Sequence, residues 1–124
     1  MSTADRSPGL LAWQWKGYPT YHGSRRNLVI HLVTQPIFVA GFFGVLTAPL
    51  AGSLVAIVLR VLGGVAAMAV AMIAQGRGHA LELSPPVPFS GPADAIGRIF
   101  LEQLVTFPRF VLTGGLAKAW RASA

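Results

Sequence analysis

The chain has 124 residues, a length for one domain, and only 11% of them are charged while 53% are hydrophobic. Soluble domains carry about 25% charged residues, so this composition predicts that lipid forms part of the solvent. The net charge of +6 does not indicate a nucleic-acid partner, because the basic residues flank hydrophobic segments, where topology and anionic headgroups explain them. The chain contains no cysteine, which excludes disulfides and thiolate metal sites.

Residues 1–24 are rich in aromatic and basic side chains and include the stretch LLAWQWKGYPTYHG. Tryptophan and tyrosine favour the boundary between membrane and water, where their rings are half buried. We therefore expect residues 1–24 to lie on the membrane surface, with a short helix broken at Gly17 and Pro19. Ordinary core packing of these aromatic rings is the alternative.

Residues 28–59 contain no formally charged side chain. As a single helix rising ~1.5 Å per residue, this run would overshoot a hydrocarbon core of ~30 Å. The stretch TAPLAGS at residues 47–53 supplies a break, so we predict helix A over 25–46 and helix B over 53–75. The expected fold is an all-α integral membrane protein with an antiparallel transmembrane hairpin and a C-terminal third helix.

Four prolines between residues 85 and 92 predict a stiff connector over 83–92. Pro92 then suits the first position of a C-terminal helical segment over 93–120. We expect this segment to be amphipathic or kinked at Pro108, and the sequence leaves open whether 95–120 cross the bilayer. Arg98 and Glu102 are four residues apart and are expected to pair on one face.

All three histidines of the chain fall near the same end of the predicted hairpin. His22 and His31 lie at the start of helix A, and His79 and Glu82 follow helix B. Three imidazoles and one carboxylate at one membrane end predict a metal site suited to Fe, Zn or Mn, and the sequence alone does not choose the metal. A set of hydrogen-bonded structural histidines is the alternative. Because positive residues flank the outer ends of the hairpin, we expect the site to face the cytoplasm.

Further polar residues accompany the histidines. Asn27, His31 and Gln35 recur every four residues and should face the bundle interior, because a polar stripe in lipid is costly. Asn27 and Gln35 are therefore candidates for binding a substrate. Arg25 and Arg26 precede Asn27 and are candidates for binding a carboxylate or phosphate headgroup, although positive-inside anchoring explains them better.

The stretches YPTYHGSRRNLVIHLVTQP, AQGRGHALELSPPVPF and EQLVTFPRF together resemble the small membrane proteins related to the fungal 2-hydroxy fatty acid dioxygenase. The similarity spans about residues 18–112. The family pattern has a histidine, then an asparagine and a second histidine entering a hydrophobic helix, often followed by a proline. Later in the chain come a Gly-His pair, a glutamate and a proline. The matching residues here are His22, Asn27, His31, Pro36, Gly78, His79, Glu82 and Pro85 or Pro86.

This resemblance implies an Fe(II)-dependent oxygenase that shortens 2-hydroxy fatty acids by one carbon with dioxygen. Histidines carry the iron in that family, so it implies His22, His31 and His79 as ligands, with Glu82 as a further ligand or a base beside the metal. Arg25, Arg26 or Arg77 would then neutralise the substrate carboxylate, and the apolar faces of helices A and B would hold its tail. The protein would lie in the inner membrane of a bacterium or the endoplasmic reticulum of a eukaryote.

Two other functions compete with an oxygenase. One is a non-catalytic scaffold or lipid-binding protein whose histidines are structural. The other is a small carrier or channel subunit that uses His31, Gln35 and Arg60 within the membrane. A carrier or channel requires a homo-oligomer, because two or three helices cannot enclose a pathway.

Overall fold

The computed structural model of the protein describes Arg6 and residues 8–123. The first part of the predicted interfacial segment, residues 1–5 and 7, lies outside these described residues. All regular structure within the described part of the chain is helical. The helices are α1 (Leu10–Gly17), α2 (Arg25–Leu46), α3 (Leu54–His79), α4 (Pro92–Leu101), α5 (Phe107–Leu112) and α6 (Gly115–Ala122), with 3-10 turns at Tyr18–Tyr21 and Ala48–Leu50 and a π-helical turn at Glu102–Thr106.

Helices α2 and α3 are long and apolar enough to cross a membrane, with mean hydropathies of 1.9 and 2.4 over their most apolar windows. Only 28% of the α2 window and 11% of the α3 window is buried within the protein. Large side chains such as Leu54, Leu59 and Leu62 are therefore exposed. An apolar face of this extent suits contact with lipid better than contact with water.

Contacts between α2 and α3 show that the two helices run in opposite directions. Asn27 near the start of α2 lies against Gly78 near the end of α3, whereas Gly41 lies against Gly64 further along. A Cβ added to Gly41 would come within 2.6 Å of the carbonyl oxygen of Gly64, so the two backbones are in direct contact. Glycine at both positions permits this close approach.

Helix α3 extends beyond the predicted end of helix B at residue 75 and continues to His79. Gly76 and Gly78 do not interrupt it, because Gly78 is buried in the contact with α2 and the prolines come later in the chain. At the other end, Ser53 caps α3 by accepting a hydrogen bond from the backbone N–H of Ala56 at 3.1 Å. Arg60 reaches back to the turn, 3.4 Å from the carbonyl oxygen of Thr47.

The C-terminal segment begins at Pro92, the first residue of α4, and it departs from regular α-helix close to the predicted bend at Pro108. Pro108 follows the last residue of the π-helical turn by two positions, and a proline within a helix removes a backbone hydrogen bond to the preceding turn. The irregularity comes earlier, in the π-helical turn at Glu102–Thr106, and the break comes later, at Gly114 with φ +86°. Arg98 pairs with Asp94 at 3.5 Å rather than with Glu102.

A small core connects the N-terminal segment to this C-terminal one. Tyr18, Leu28, Phe107 and Phe110 are buried against one another. The predicted short helix followed by a break is observed as α1 and the 3-10 turn at Tyr18–Tyr21. The N-terminal segment is therefore packed against α5, and this packing holds His22 beside α2 and α3.

Candidate metal centre

Four side chains from four parts of the chain converge near the start of α2. Ligand atoms of His22, His31, His79 and Glu102 all lie within 4.8 Å of one another. The ring centroids of the three histidines are 4.7 to 5.1 Å apart, so the expected convergence of the imidazoles is present. The group could hold a metal ion.

Backbone carbonyls fix the orientation of two of the imidazoles. Nδ1 of His22 lies 2.9 Å from the carbonyl oxygen of Tyr18, and Nδ1 of His31 lies 3.0 Å from that of Asn27. Since a carbonyl oxygen only accepts, each Nδ1 carries the proton that is donated. This arrangement leaves Nε2 as the free donor atom and is the usual way in which a protein orients metal-binding histidines.

The free nitrogens of His22 and His31 point into the cluster. Nε2 of His22 and Nε2 of His31 are buried and have no hydrogen-bond partner among the described residues. They lie 3.4 Å and 3.3 Å from Oε1 of Glu102. Nδ1 of His79 is likewise buried without a partner in the described part of the chain. Buried polar atoms almost always have a hydrogen-bond partner, so this group of unpaired atoms indicates a site for a bound species.

The distances from Glu102 to His22 and His31 suit a shared cation. Charge-assisted hydrogen bonds between an imidazolium and a carboxylate are about 2.7–2.9 Å long, shorter than the separations from Glu102 to the two histidines. By contrast, ligand atoms at ~2.1 Å from one tetrahedral ion lie about 3.4 Å apart. Three imidazoles and a carboxylate also form a donor set that suits Zn or Fe. The residues present therefore fit a divalent metal, whose identity the geometry leaves open.

The electrostatics of Glu102 favour its charged form. Burial raises the pKa of the Glu102 carboxyl, but when His22 and His31 are protonated, their hydrogen bonds and charges outweigh burial and hold that pKa well below its usual range. A cation held at the two Nε2 atoms would act on the carboxyl in the same direction. Tyr18 donates a hydrogen bond of 3.0 Å from its hydroxyl to Oε1 of Glu102. Burial, reinforced by the charge of Glu102, raises the pKa of Tyr18 well above its usual value, so the phenol keeps its proton.

Glu82, the carboxylate expected in the site, lies outside this cluster. The helix ends at His79, and the turn that follows carries Glu82 toward the start of α2. Its carboxylate accepts hydrogen bonds from the backbone N–H groups of Gly23 and Ser24 at 3.0 Å, and from Nδ2 of Asn27 at 2.8 Å. Glu82 therefore stabilises the N-terminus of α2, where a negative charge is favourable.

Asn27 and Gln35 support the site without entering the cluster. Asn27 supplies the carbonyl that orients His31 and ties α2 to Glu82. Gln35 donates from Nε2 to the backbone carbonyl of Gln103 at 2.8 Å. Gln103 and Gln75 exchange side-chain hydrogen bonds of 3.1 and 2.7 Å. A buried amide layer thus ties α2 and α3 to the π-helical turn that carries Glu102.

The three arginines predicted to bind substrate lie at the surface. Arg25 donates to the carbonyl of Trp120 and stacks on its ring at 4.8 Å, so it ties α2 to α6. Arg26 and Arg77 are exposed. All three are absent from the lining of the cavity that opens beside the histidines.

This cavity has a volume of about 380 Å³ and reaches three members of the cluster, His22, His79 and Glu102. Most of its other walls are apolar and come from α1, α3, α4 and the Pro-rich segment, with Met72, Ile99 and residues 86–89 among them. Its size lies within the range of small-molecule sites. The apolar wall therefore lies within the protein rather than along the outer faces of α2 and α3.

Sequence reasoning did not identify Glu102, Gln103 and Tyr18 as members of the site. A signal was present for Glu102, since a carboxylate within the apolar stretch AIGRIFLEQLVTF requires a buried partner, and a pairing with Arg98 was expected instead. The π-helical turn gave no comparable signal. Such turns occur often at functional sites.

A scan against protein-family models and searches of curated proteins and of solved structures found no match for this chain.

Proposed function

We propose that the protein is a membrane-embedded metalloprotein in which α2 and α3 cross the bilayer as an antiparallel hairpin. The metal is held at one end of this hairpin by His22, His31, His79 and Glu102. The observation that carries the proposal is the convergence of two buried, unpaired Nε2 atoms on one carboxylate oxygen. A cation at that point satisfies both Nε2 atoms and the carboxylate oxygen, whereas without one two nitrogen lone pairs face a negative charge.

We further propose that the metal is Fe(II) and that the protein is a dioxygenase of 2-hydroxy fatty acids, as its resemblance to the dioxygenase-related membrane proteins implies. Imidazole and carboxylate ligands suit non-haem iron. When bound, Fe(II) supplies the dioxygen chemistry that shortening the acid by one carbon requires.

The chain's own residues supply orientation and exclusion of water. The carbonyls of Tyr18 and Asn27 keep His22 and His31 in the tautomer with Nε2 free. The carboxylate of Glu102 compensates the positive charge of the bound metal, and the Tyr18 hydroxyl holds this carboxylate in place. The apolar cavity beside the cluster receives the part of the substrate next to its head and keeps bulk water from it.

The test is dioxygen uptake by purified protein loaded with Fe(II), with 2-hydroxypalmitate as substrate and palmitate as a control acid without the 2-hydroxyl. The proposal predicts uptake only with 2-hydroxypalmitate, together with a product one carbon shorter. Protein that holds iron but consumes no dioxygen with either acid would contradict the dioxygenase and leave a metal-binding membrane protein.

A further inference from the structure

Arg98 lines the same cavity as His22, His79 and Glu102, and it is the one arginine or lysine among the described residues that do so. Its guanidinium donates to the carbonyl of Val87 at 2.8 Å and to that of Pro88 at 3.2 Å. These two bonds use two of its five N–H donors. Arg98 therefore forms a cationic part of a mostly apolar wall and retains donors for a further partner.

Aromatic rings keep this guanidinium in place. The Arg98 guanidinium carbon lies 4.5 Å from the ring centre of Phe89 and 5.1 Å from that of Trp13, both of which also line the cavity. The Arg98 side chain is only 11% exposed to solvent. A cation fixed in this way loses little conformational entropy when it binds an anion, which favours binding.

The charges around Arg98 do not balance. Asp94 lies 3.5 Å from Arg98, but the same carboxylate also forms a hydrogen-bonded ion pair with Arg6. Two guanidinium groups thus share one carboxylate, and a positive charge remains at this wall. Glu102 does not compensate it, since its carboxylate is engaged by His22, His31 and Tyr18.

We propose that Arg98 binds the anionic head of a single-chain amphiphile, whose head then lies in the cavity between Arg98 and the histidine cluster. A carboxylate suits this position, because one of its oxygens can accept hydrogen bonds from Arg98 while the other can face a metal held by the cluster. The inference deepens the proposed function by naming the residue that recognises the substrate's charge. Binding of the anion itself requires no metal, so the two proposals can fail separately.

The size of the cavity limits the ligand. At ~30 Å³ for each water-sized group, about 380 Å³ accommodates roughly a dozen non-hydrogen atoms. This volume admits the head and the first part of one chain. The remainder of a longer chain extends out of the cavity.

The experiment measures displacement of a fluorescent fatty acid from metal-free, detergent-solubilised protein. Palmitate, hexadecyl phosphate and hexadecanol are the competing ligands, which share a chain and differ in the head. We expect hexadecanol to bind at least about tenfold more weakly than the better of the two anions, because a hydrogen bond to a charged group is lost. The stronger anion identifies the head as carboxylate or phosphate. Equal binding of hexadecanol and both anions would overturn the proposal.

Variants test whether Arg98 causes the preference for anionic ligands. Arg98→Gln should weaken binding of the preferred anion by about ten- to a hundredfold and leave hexadecanol unchanged. Arg121→Gln, at an exposed arginine outside the cavity, is the matched control and should bind as the wild type does. Anion binding by Arg98→Gln at wild-type strength would contradict the proposal.

Arg98 also holds the Pro-rich segment, so a variant with the guanidinium intact is needed as well. Ile99→Trp fills the cavity without removing any hydrogen bond of Arg98, and it should abolish binding of all three ligands. Undiminished binding by Ile99→Trp would place the ligand elsewhere and refute the proposal, whether or not Arg98→Gln folds.

Discussion

Oε1 of Glu102 lies 3.3 Å from Nε2 of His31, although the two residues belong to different helices. His31 is fully buried, and its Nδ1 proton is committed to the carbonyl of Asn27. The unprotonated nitrogen of the imidazole, Nε2, is therefore directed at the carboxylate of Glu102. A cation held between them would make this contact favourable, and the same argument applies to His22.

Substitution of the two glutamates should separate a metal ligand from a structural carboxylate. Glu102→Gln should lower Fe(II) affinity by at least about 100-fold, because even residues that merely support a ligand contribute about 10- to 100-fold. Glu82→Gln should retain the metal and lose about 1–3 kcal/mol of stability, since it weakens hydrogen bonds to the start of α2. Metal titration and thermal unfolding in detergent measure the two effects, and loss of metal in Glu82→Gln alone would reverse the assignment.

Two neighbouring glycines in α3 should respond oppositely to alanine. A Cβ on Gly64 would lie 2.6 Å from Cγ2 of Val45 and against the backbone of Gly41, so Gly64→Ala should destabilise the helix pair by about 1–3 kcal/mol. Gly63 has open space around its Cβ position, and Gly63→Ala should be neutral or stabilising by up to about 1 kcal/mol. The stabilities of the two variants are compared by unfolding in detergent. Equal changes in stability would argue against close contact between α2 and α3.

The buried amide pair should show strong coupling. Gln103→Leu leaves the Gln75 amide with an unpaired oxygen in the interior, which costs about 1–3 kcal/mol. Replacing both glutamines by leucine removes both polar groups and should recover part of this loss. A double-mutant cycle on thermal unfolding measures the coupling. Additive losses would mean that the two amides do not bond to each other.

The Arg6–Asp94 pair should make stability depend on pH in the acid range. The hydrogen bond from Arg6 and a backbone N–H bond from Ser90 hold the pKa of Asp94 well below its usual range. A carboxyl with a lowered folded-state pKa stabilises the protein above its unfolded pKa of about 4, and this contribution is lost as the pH falls further. Asp94→Asn should therefore be less stable than wild type at pH 7, and the difference should shrink below about pH 4. A difference that stays constant with pH would contradict the lowered pKa.

The sequence predicted those parts of the molecule that depend on local pattern. The apolar run, its break at residues 47–53 and the prolines after residue 84 are reflected in α2, α3 and the segment before α4. The convergence of His22, His31 and His79 could also be predicted, because the ends of adjacent antiparallel helices must meet. The four-residue spacing of Asn27, His31 and Gln35 correctly indicated a face turned inward.

The carboxylate was not predictable by the same reasoning. Glu82 is three residues from His79, a spacing that shares a helical face only if the helix continues, and α3 ends at His79. Glu102 reaches the site through the packing of Phe107 and Phe110 on Tyr18, a contact between distant parts of the chain. Its direction further depends on the π-helical turn at Glu102–Thr106, whose changed spacing the regular helical periodicity of the sequence does not indicate.

The most direct measurement is the metal content of detergent-purified protein after anaerobic loading with Fe(II) and removal of unbound ion. The proposed site predicts about one iron per chain in the wild type and in Glu82→Gln, and little or none in His31→Ala and Glu102→Gln. Folded wild-type protein that retains no iron, or His31→Ala and Glu102→Gln variants that retain as much as the wild type, would contradict the proposed site.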